Sequence, residues 1–212
     1  MKIIAIINNP FQECTYIVYD EKSGEAAIID CGALFEKEEI AIANFIEENK
    51  LTVKHLLNTH AHLDHTFGNH WAANKYGVKP MAHEADNPLM AKLPEHIRQF
   101  GLPIEVIVEP FGGFLKEGDT IAVGDGKLEV LHTPGHTAGG ICFYCKEDNF
   151  IIVGDTLFYG SIGRTDLEGG SMTEIIRSIQ TKLISLPDST RVYCGHGPTT
   201  TIGDEKANNP YV

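Results

Sequence analysis

Apolar residues along this chain follow two periods. Lys2 to Ile7, Thr15 to Tyr19 and Ala26 to Asp30 are short runs rich in β-branched and aromatic residues, divided by Asn8-Asn9-Pro10 and Lys22-Ser23-Gly24. They predict three strands that open an antiparallel sheet. From Phe35 to Lys50 the period lengthens. Ile42, Phe45, Ile46 and Asn49 recur at helical spacing, and glutamates crowd the first turn, where the helix dipole favours them. Val53 to Asn58 predicts a further strand, and Thr66 to Lys75 a helix that stops at Gly77. From Met81 to Pro110 the pattern is weakest. There Asn87-Pro88 and Leu93-Pro94 predict short helical pieces bearing Leu89, Met90, Leu93, Ile97 and Phe100.

Strand periodicity returns at Thr120 to Val123, Lys127 to Leu131, Gly140 to Tyr144 and Phe150 to Val153. A second helix is predicted from Ser171 to Leu186. Ser171-Met172-Thr173-Glu174 is a capping box at its start, and Ile175, Ile176, Ile179 and Leu183 form its apolar stripe. A last strand, Thr190 to Cys194, precedes a short tail. Strands with a helix therefore occur in each half, which predicts an α/β fold of two sheets packed between two helical layers, a four-layer αββα sandwich. No internal repeat or linker divides it, so one domain over residues 1–212 is expected, without a separate C-terminal helical domain.

Composition narrows the function. The 212 residues carry 17 Lys plus Arg against 29 Asp plus Glu, a net charge of −12. Such a surface repels phosphate backbones, which argues against nucleic acid as a partner. The apolar run Ile3 to Ile7 is too short for a signal peptide or a membrane span, so no membrane partner is expected. Five cysteines, odd in number and scattered, fit a reducing, cytoplasmic setting. Cys142 and Cys145 have redox or zinc spacing, but an offset of three on a strand sends their sulfurs to opposite faces.

Ten histidines change the picture. Thr59-His60-Ala61-His62-Leu63-Asp64-His65 places four metal-capable side chains directly after a predicted strand. On a continuing strand His60, His62 and Asp64 would share one face, with His65 opposite; a bend would let His60 and His62 grip one cation and Asp64 and His65 its neighbour. His136 in Thr133-Pro134-Gly135-His136, Asp155 in Gly154-Asp155-Thr156 and His196 in Gly195-His196-Gly197 occupy similar contexts, each just past a predicted strand. Sites in α/β sheets are built at that edge. Five imidazoles and two carboxylates suit zinc, and also iron or manganese. Seven ligands exceed one tetrahedral ion and fit two ions sharing a bridging carboxylate, for which Asp155 is placed. Water held between two such ions is acidified and attacks ester-like carbonyls. By contrast His55, His70, His83, His96 and His132 have ordinary structural or solvated readings.

These residues also resemble a known family. Thr59 to His65, with His136, Asp155 and His196, is similar to the metallo-β-lactamase superfamily. Gly154-Asp155-Thr156-Leu157-Phe158, Gly163-Arg164-Thr165-Asp166 and Gly195-His196-Gly197-Pro198 narrow the likeness to the short, single-domain glyoxalase II (hydroxyacylglutathione hydrolase) group. The resemblance implies His60, His62 and His136 on one metal and Asp64, His65 and His196 on the second, with Asp155 bridging. It also implies Asp30 as an orienting carboxylate and Arg164 as a contact for the glutathione moiety. The implied reaction is hydrolysis of a small thioester such as S-lactoylglutathione by a metal-bridging hydroxide, with Asp64 orienting it. Glyoxalase II has a helical C-terminal region that helps hold glutathione, whereas 16 residues follow His196 here. The thiol half is then expected against the Met81–Pro110 segment.

Three rivals have identifiable weaknesses. A persulfide dioxygenase of the same fold would use one iron on His60, His136 and Asp155, leaving Asp64, His65 and His196 without a purpose. A β-lactamase fits less well with the Asp64-His65 pair and a carboxylate at 155. A non-catalytic metal-binding protein has no need for seven costly polar groups.

Overall fold

A computed structural model describes residues 1–212. The chain opens with β1 (Lys2–Asn8), β2 (Glu13–Tyr19) and β3 (Glu25–Ile29), paired antiparallel in sequence order. Helix α1 (Glu36–Glu48) crosses to β4 (Thr52–Leu57), which lies parallel to β3. Helix α2 (Asn69–Tyr76) leads to β5 (Pro80–His83), and α3 (Asn87–Gln99) precedes β6 (Gly113–Leu115), both added in parallel. The first sheet thus runs β1-β2-β3-β4-β5-β6.

The second sheet starts with β7 (Thr120–Val123), β8 (Gly126–His132), β9 (Ile141–Cys145) and β10 (Phe150–Gly154), an antiparallel meander. A small hairpin of β11 (Leu157–Phe158) and β12 (Ser161–Ile162) follows, then α4 (Met172–Ser178). Strand β13 (Arg191–Cys194) returns parallel to β10, β14 (Thr200–Thr201) forms the edge, and α5 (Ile202–Asn208) closes the chain. The order is β14-β13-β10-β9-β8-β7.

Period-two alternation builds the layers. Tyr16, Val18 and Ile29 of the first sheet meet Val130, Phe143 and Ile152 of the second in one buried cluster. Their strand neighbours Ile17, Ile28 and Leu56 face the other way and pack on Ile42 and Ile46 of α1 and Ala72 and Ala73 of α2. On the far side Ile151, Val153 and Val192 pack on Ile175 of α4 and Ile202 of α5. This is the four-layer αββα arrangement. Cys142 and Cys145 fall in different clusters on opposite faces of β9, and all five cysteines are free.

Direction fixes where chemistry can be built. Strands β8, β10 and β13 run the same way, as do β3 and β4, so the loops at their carboxyl ends collect at one edge. Asp30 follows β3, the His60–His65 run follows β4, His136 follows β8, Asp155 follows β10 and His196 follows β13.

The structure corrects two sequence expectations. The Met81–Pro110 segment is not broken at Pro94: α3 is one helix with that proline inside it. Pro94 removes a backbone hydrogen bond, but Leu89, Met90, Leu93 and Ile97 all bury one face of the helix, and this packing outweighs the break. The Ser171–Leu186 helix holds its α-form only through Ser178 and widens into a π-turn over Ile179–Leu183. Its cap is present, with Ser171 Oγ accepting from Glu174 N at 3.3 Å.

Candidate metal centre

The chain leaves β4 at Leu57 and bends rather than continuing as a strand, reaching a short 3-10 turn at Leu63–His65. The pin for this bend is Asp30. Its backbone is left-handed (φ 54°) and its carboxylate is fully buried. Oδ1 accepts from Thr59 N at 2.7 Å, while Oδ2 accepts from Thr59 Oγ1 at 2.6 Å and from His65 Nδ1 at 3.0 Å. A strained conformation in a non-glycine residue persists where several bonds hold it.

With the bend in place, seven side chains converge as two groups. His60, His62 and His136 bring one ligand atom each within 4.8 Å of one another, and so do Asp64, His65 and His196. Within the first group His62 Nδ1 and His136 Nε2 stand 2.8 Å apart. Within the second, Asp64 Oδ2 lies 3.2 Å from His196 Nε2, which is 3.3 Å from His65 Nε2. Asp155 faces both groups: its oxygens lie 3.5 Å from His136 Nε2, 3.4 Å from His65 Nε2 and 3.6 Å from His196 Nε2. The bend therefore sets His60 and His62 beside His136, and Asp64 and His65 beside His196, while His60 also meets His65 and Asp30 in a third such group. Gly195 is obligatory here, because a Cβ on it would stand 2.1 Å from Asp155 Oδ1.

Hydrogen bonds behind the ligands fix which nitrogen faces inward. Carbonyl and carboxylate oxygens only accept, so a ring nitrogen bonded to one carries the proton. His136 Nδ1 donates to Arg164 O at 2.8 Å, His196 Nδ1 to Phe11 O at 3.0 Å and His65 Nδ1 to Asp30. Thr59 Oγ1 gives its proton to Asp30 and accepts from His60 Nδ1 at 3.0 Å. When neutral, all four imidazoles thus direct an Nε2 lone pair into the centre.

Two buried atoms there have no hydrogen-bond partner, His60 Nε2 and Asp155 Oδ1. Such orphans are costly unless a cation accepts their lone pairs, so the donor set fits divalent metal. The electrostatics agree. Burial, aided by neighbouring imidazoles, pushes His60 well below its usual range and His62 down to about 3, keeping both neutral. Burial alone would lift the Asp155 carboxyl, but His65, with His136 and His196, holds it well below the carboxylate range. Burial opposes charge on His65 as well, and there Asp155, Asp64 and Asp30 prevail and raise it. The carboxylates demand positive charge, which divalent cations would supply in place of those protons.

The profile of the metallo-β-lactamase superfamily matches residues 9–196. The chain belongs to this superfamily. It is 41% identical over 202 residues to the hydroxyacylglutathione hydrolase GloC of Haemophilus influenzae, covering 95% of this chain and 92% of the relative. Among solved structures, the B3 metallo-β-lactamase BLEG-1 superposes with a TM-score of 0.89 at 32% identity, covering 99% of both chains. TTHA1623 in a di-iron-bound form superposes with a TM-score of 0.86 at 33% identity, covering 99% of this chain and 100% of that one. The protein is thus a metallo-hydrolase of the metallo-β-lactamase fold, with a histidine-rich centre for divalent metal.

A cleft of about 490 Å³ opens onto this centre, and its lining includes His62, Asp64, His136, Asp155 and His196. Arg164 lines it as well. The Arg164 guanidinium is half-exposed and bonds both oxygens of Asp166, at 2.7 and 2.8 Å, while its backbone carbonyl orients His136. The remaining histidines stay outside the ligand set. His55 donates to Ala122 O, His70 meets Glu109, and His83 stacks on His132 with ring centroids 4.1 Å apart. His96 faces the cleft from α3.

One buried carboxylate near the centre reads in the sequence as no more than part of a polar loop. Asp86 is fully buried, and its Oδ2 accepts from Ala61 N and from Thr137 Oγ1, both at 2.9 Å, while Oδ1 accepts from Gly139 N at 2.6 Å. It clasps the loop of His60 and His62 to the loop of His136. Asn9 does similar work from the β1–β2 turn, donating to the carbonyls of Gly32 and Asp64 at 2.9 Å each. Neither residue sits in a motif, and the partners that reveal them lie far along the chain.

Proposed function

We propose that this metallo-hydrolase cleaves acyl thioesters in the manner of glyoxalase II, with S-lactoylglutathione or a related acyl-thioester as substrate and two divalent cations, zinc favoured, as cofactors. The observation that carries the reading is Asp155, which stands within 3.6 Å of ligand nitrogens from both groups and keeps one buried oxygen unpartnered. A mononuclear oxygenase would leave Asp64, His65 and His196 converging without purpose. The likeness to GloC over 95% of this chain supports the thioester class.

When bound, the cations supply an acidified water as nucleophile and polarise the carbonyl under attack. His60, His62 and His136 would hold one, Asp64, His65 and His196 the other, and Asp155 would serve both. Asp64 is the residue at the reacting atoms. Its side chain is partly open to the cleft, where its carboxylate is placed to orient the attacking hydroxide. The thiolate is a good leaving group and departs along the cleft without an acid. Asp30, through Thr59 and His65, keeps the imidazoles aligned.

The test is release of glutathione from S-lactoylglutathione by metal-loaded protein, with metal content measured in parallel. Turnover that is lost together with bound metal in Asp155→Ala and His62→Ala is expected. Full turnover and metal content in Asp155→Ala would remove the assignment. The likeness to BLEG-1 makes a β-lactam the second substrate to try, and cleavage of it in place of every thioester would move the reading to that class.

A further inference from the structure

His196 is the most open of the three histidines around Asp155: its side chain is 26% exposed, against 4% for His136 and 0% for His65. A fully buried imidazole is fixed by close packing on every side, whereas the His196 ring depends on separate restraints. One is the bond from its Nδ1 to Phe11 O at 3.0 Å. Another is Phe158, whose ring meets the imidazole edge to face, with centroids 6.2 Å apart and planes at 71°.

Phe158 belongs to β11, and β11 and β12 form a two-stranded sheet separate from both main sheets. A hairpin that small does not hold itself together in water. Leu157 and Ile162 anchor its base in the cluster that contains Ile202 of α5. Its turn is gripped by the C-terminal tail. The Glu205 carboxylate is buried and accepts three hydrogen bonds, none from a charged group. Oε2 accepts from Gly160 N at 2.9 Å and from Asn209 Nδ2 at 2.7 Å, and Oε1 accepts from Thr200 Oγ1 at 2.6 Å. Asn209 Nδ2 also donates to Ser161 O at 3.0 Å, so both sides of the turn are tied to the tail. A buried carboxylate without a cation is a costly way to close a chain end. What this one secures is the turn behind Phe158.

We propose that the C-terminal tail positions His196. Glu205 and Asn209 fix the turn between β11 and β12, the hairpin carries Phe158, and the Phe158 ring sets the orientation of the imidazole. Glu205 is thus a positioning residue for the Asp64, His65 and His196 group. The other group is tied by different residues, Asp86 at the loops of Ala61 and Thr137 and the Arg164 carbonyl at His136. The inference rests on His196 as a metal ligand and is independent of which bond the enzyme hydrolyses.

The experiment is titration of metal-depleted protein with cobalt(II), followed by visible absorption. The bands respond to coordination geometry, so they report on ligand orientation and not on stability. His196→Ala marks the equivalent concerned by losing it. In Glu205→Ala the Gly160 and Asn209 donors lose their acceptor, and this equivalent is expected to bind about tenfold more weakly with shifted bands, the other being unchanged. Phe158→Leu is expected to do the same. The double variant Glu205→Ala/Phe158→Leu is expected to be no worse than Phe158→Leu alone, because the two residues act in series. Ile46→Ala, in the separate cluster beneath α1, is the stability control: it is expected to lower the melting temperature and leave both equivalents as in wild type. Wild-type bands and affinity in Glu205→Ala would overturn the proposal, as would equal weakening of both equivalents or additive losses in the double variant. If Glu205→Ala does not fold, Asn209→Ala removes two of the same bonds and is read by the same outcomes.

Discussion

Three donors converge on the carboxylate of Asp86: Ala61 N, Thr137 Oγ1 and Gly139 N. An asparagine in its place has one accepting oxygen, and its amide N–H groups would face a donor. One of the two loops then loses its anchor, at a cost of about 1–3 kcal/mol for the buried group left unpaired. Ala61 lies between His60 and His62, and Thr137 follows His136, so the damage falls on the first ligand group. Metal titration of Asp86→Asn should show one equivalent weakened about tenfold to a hundredfold, with the other bound as in wild type. Two wild-type equivalents would reduce Asp86 to a loop residue without influence on the centre. Arg164 teaches a related lesson. Its sequence context suggests an anion contact, and the structure adds a backbone carbonyl that orients His136.

At the scale of elements, α3 is the piece on which centre and cleft depend together. Leu93 is 1% exposed and wedged with Leu63. Leu93→Ala should cost about 2–5 kcal/mol in urea unfolding and weaken substrate affinity as the cleft wall loosens; an unchanged midpoint would contradict this packing. The turn joining β2 to β3 gives a pH dependence. The Ser23 side chain, with the backbone N–H groups of Lys22, Ser23 and Asp125, holds the Asp20 carboxyl down to about 2. The folded state therefore binds a proton at Asp20 less readily than the unfolded chain does. Its stabilisation is present above the unfolded value of about 4 and is lost as pH falls through about 2. Acid denaturation of Asp20→Ala should be shallower across that window, and an identical profile would show that the turn contributes nothing.

For the whole molecule, the seven candidate ligands come from four loops, so a bound metal would cross-link the two sheets. Chelation should lower the melting temperature, and a divalent cation should restore it. At a free metal concentration a hundredfold above Kd the linkage is worth about 2.7 kcal/mol. A melting temperature indifferent to chelator would mean that the centre forms without bound metal or stays empty in solution. No helix is long and apolar enough to cross a membrane. Against the net charge of −12, the cations Lys92 and Arg164 that line the cleft are each paired with a carboxylate, Glu168 and Asp166.

The sequence by itself determined most strands of the two sheets, helix α1, the capped start of α4, the layered α/β class and the set of metal-capable residues. Each rests on signals a few residues long: alternation, helical spacing, a capping serine, or glycine and proline beside a histidine at a strand end. What only the tertiary structure decided is how those residues divide and what holds them. Asp86 meets its partners 25, 51 and 53 residues away, and Arg164 reaches His136 across 28. The unbroken course of α3 through Pro94 depends on burial against Leu63 and Phe67, which no local pattern carries. Periodicity and turn chemistry act between neighbours in the chain and are written there. Bonds between distant residues exist only once packing has set their distance.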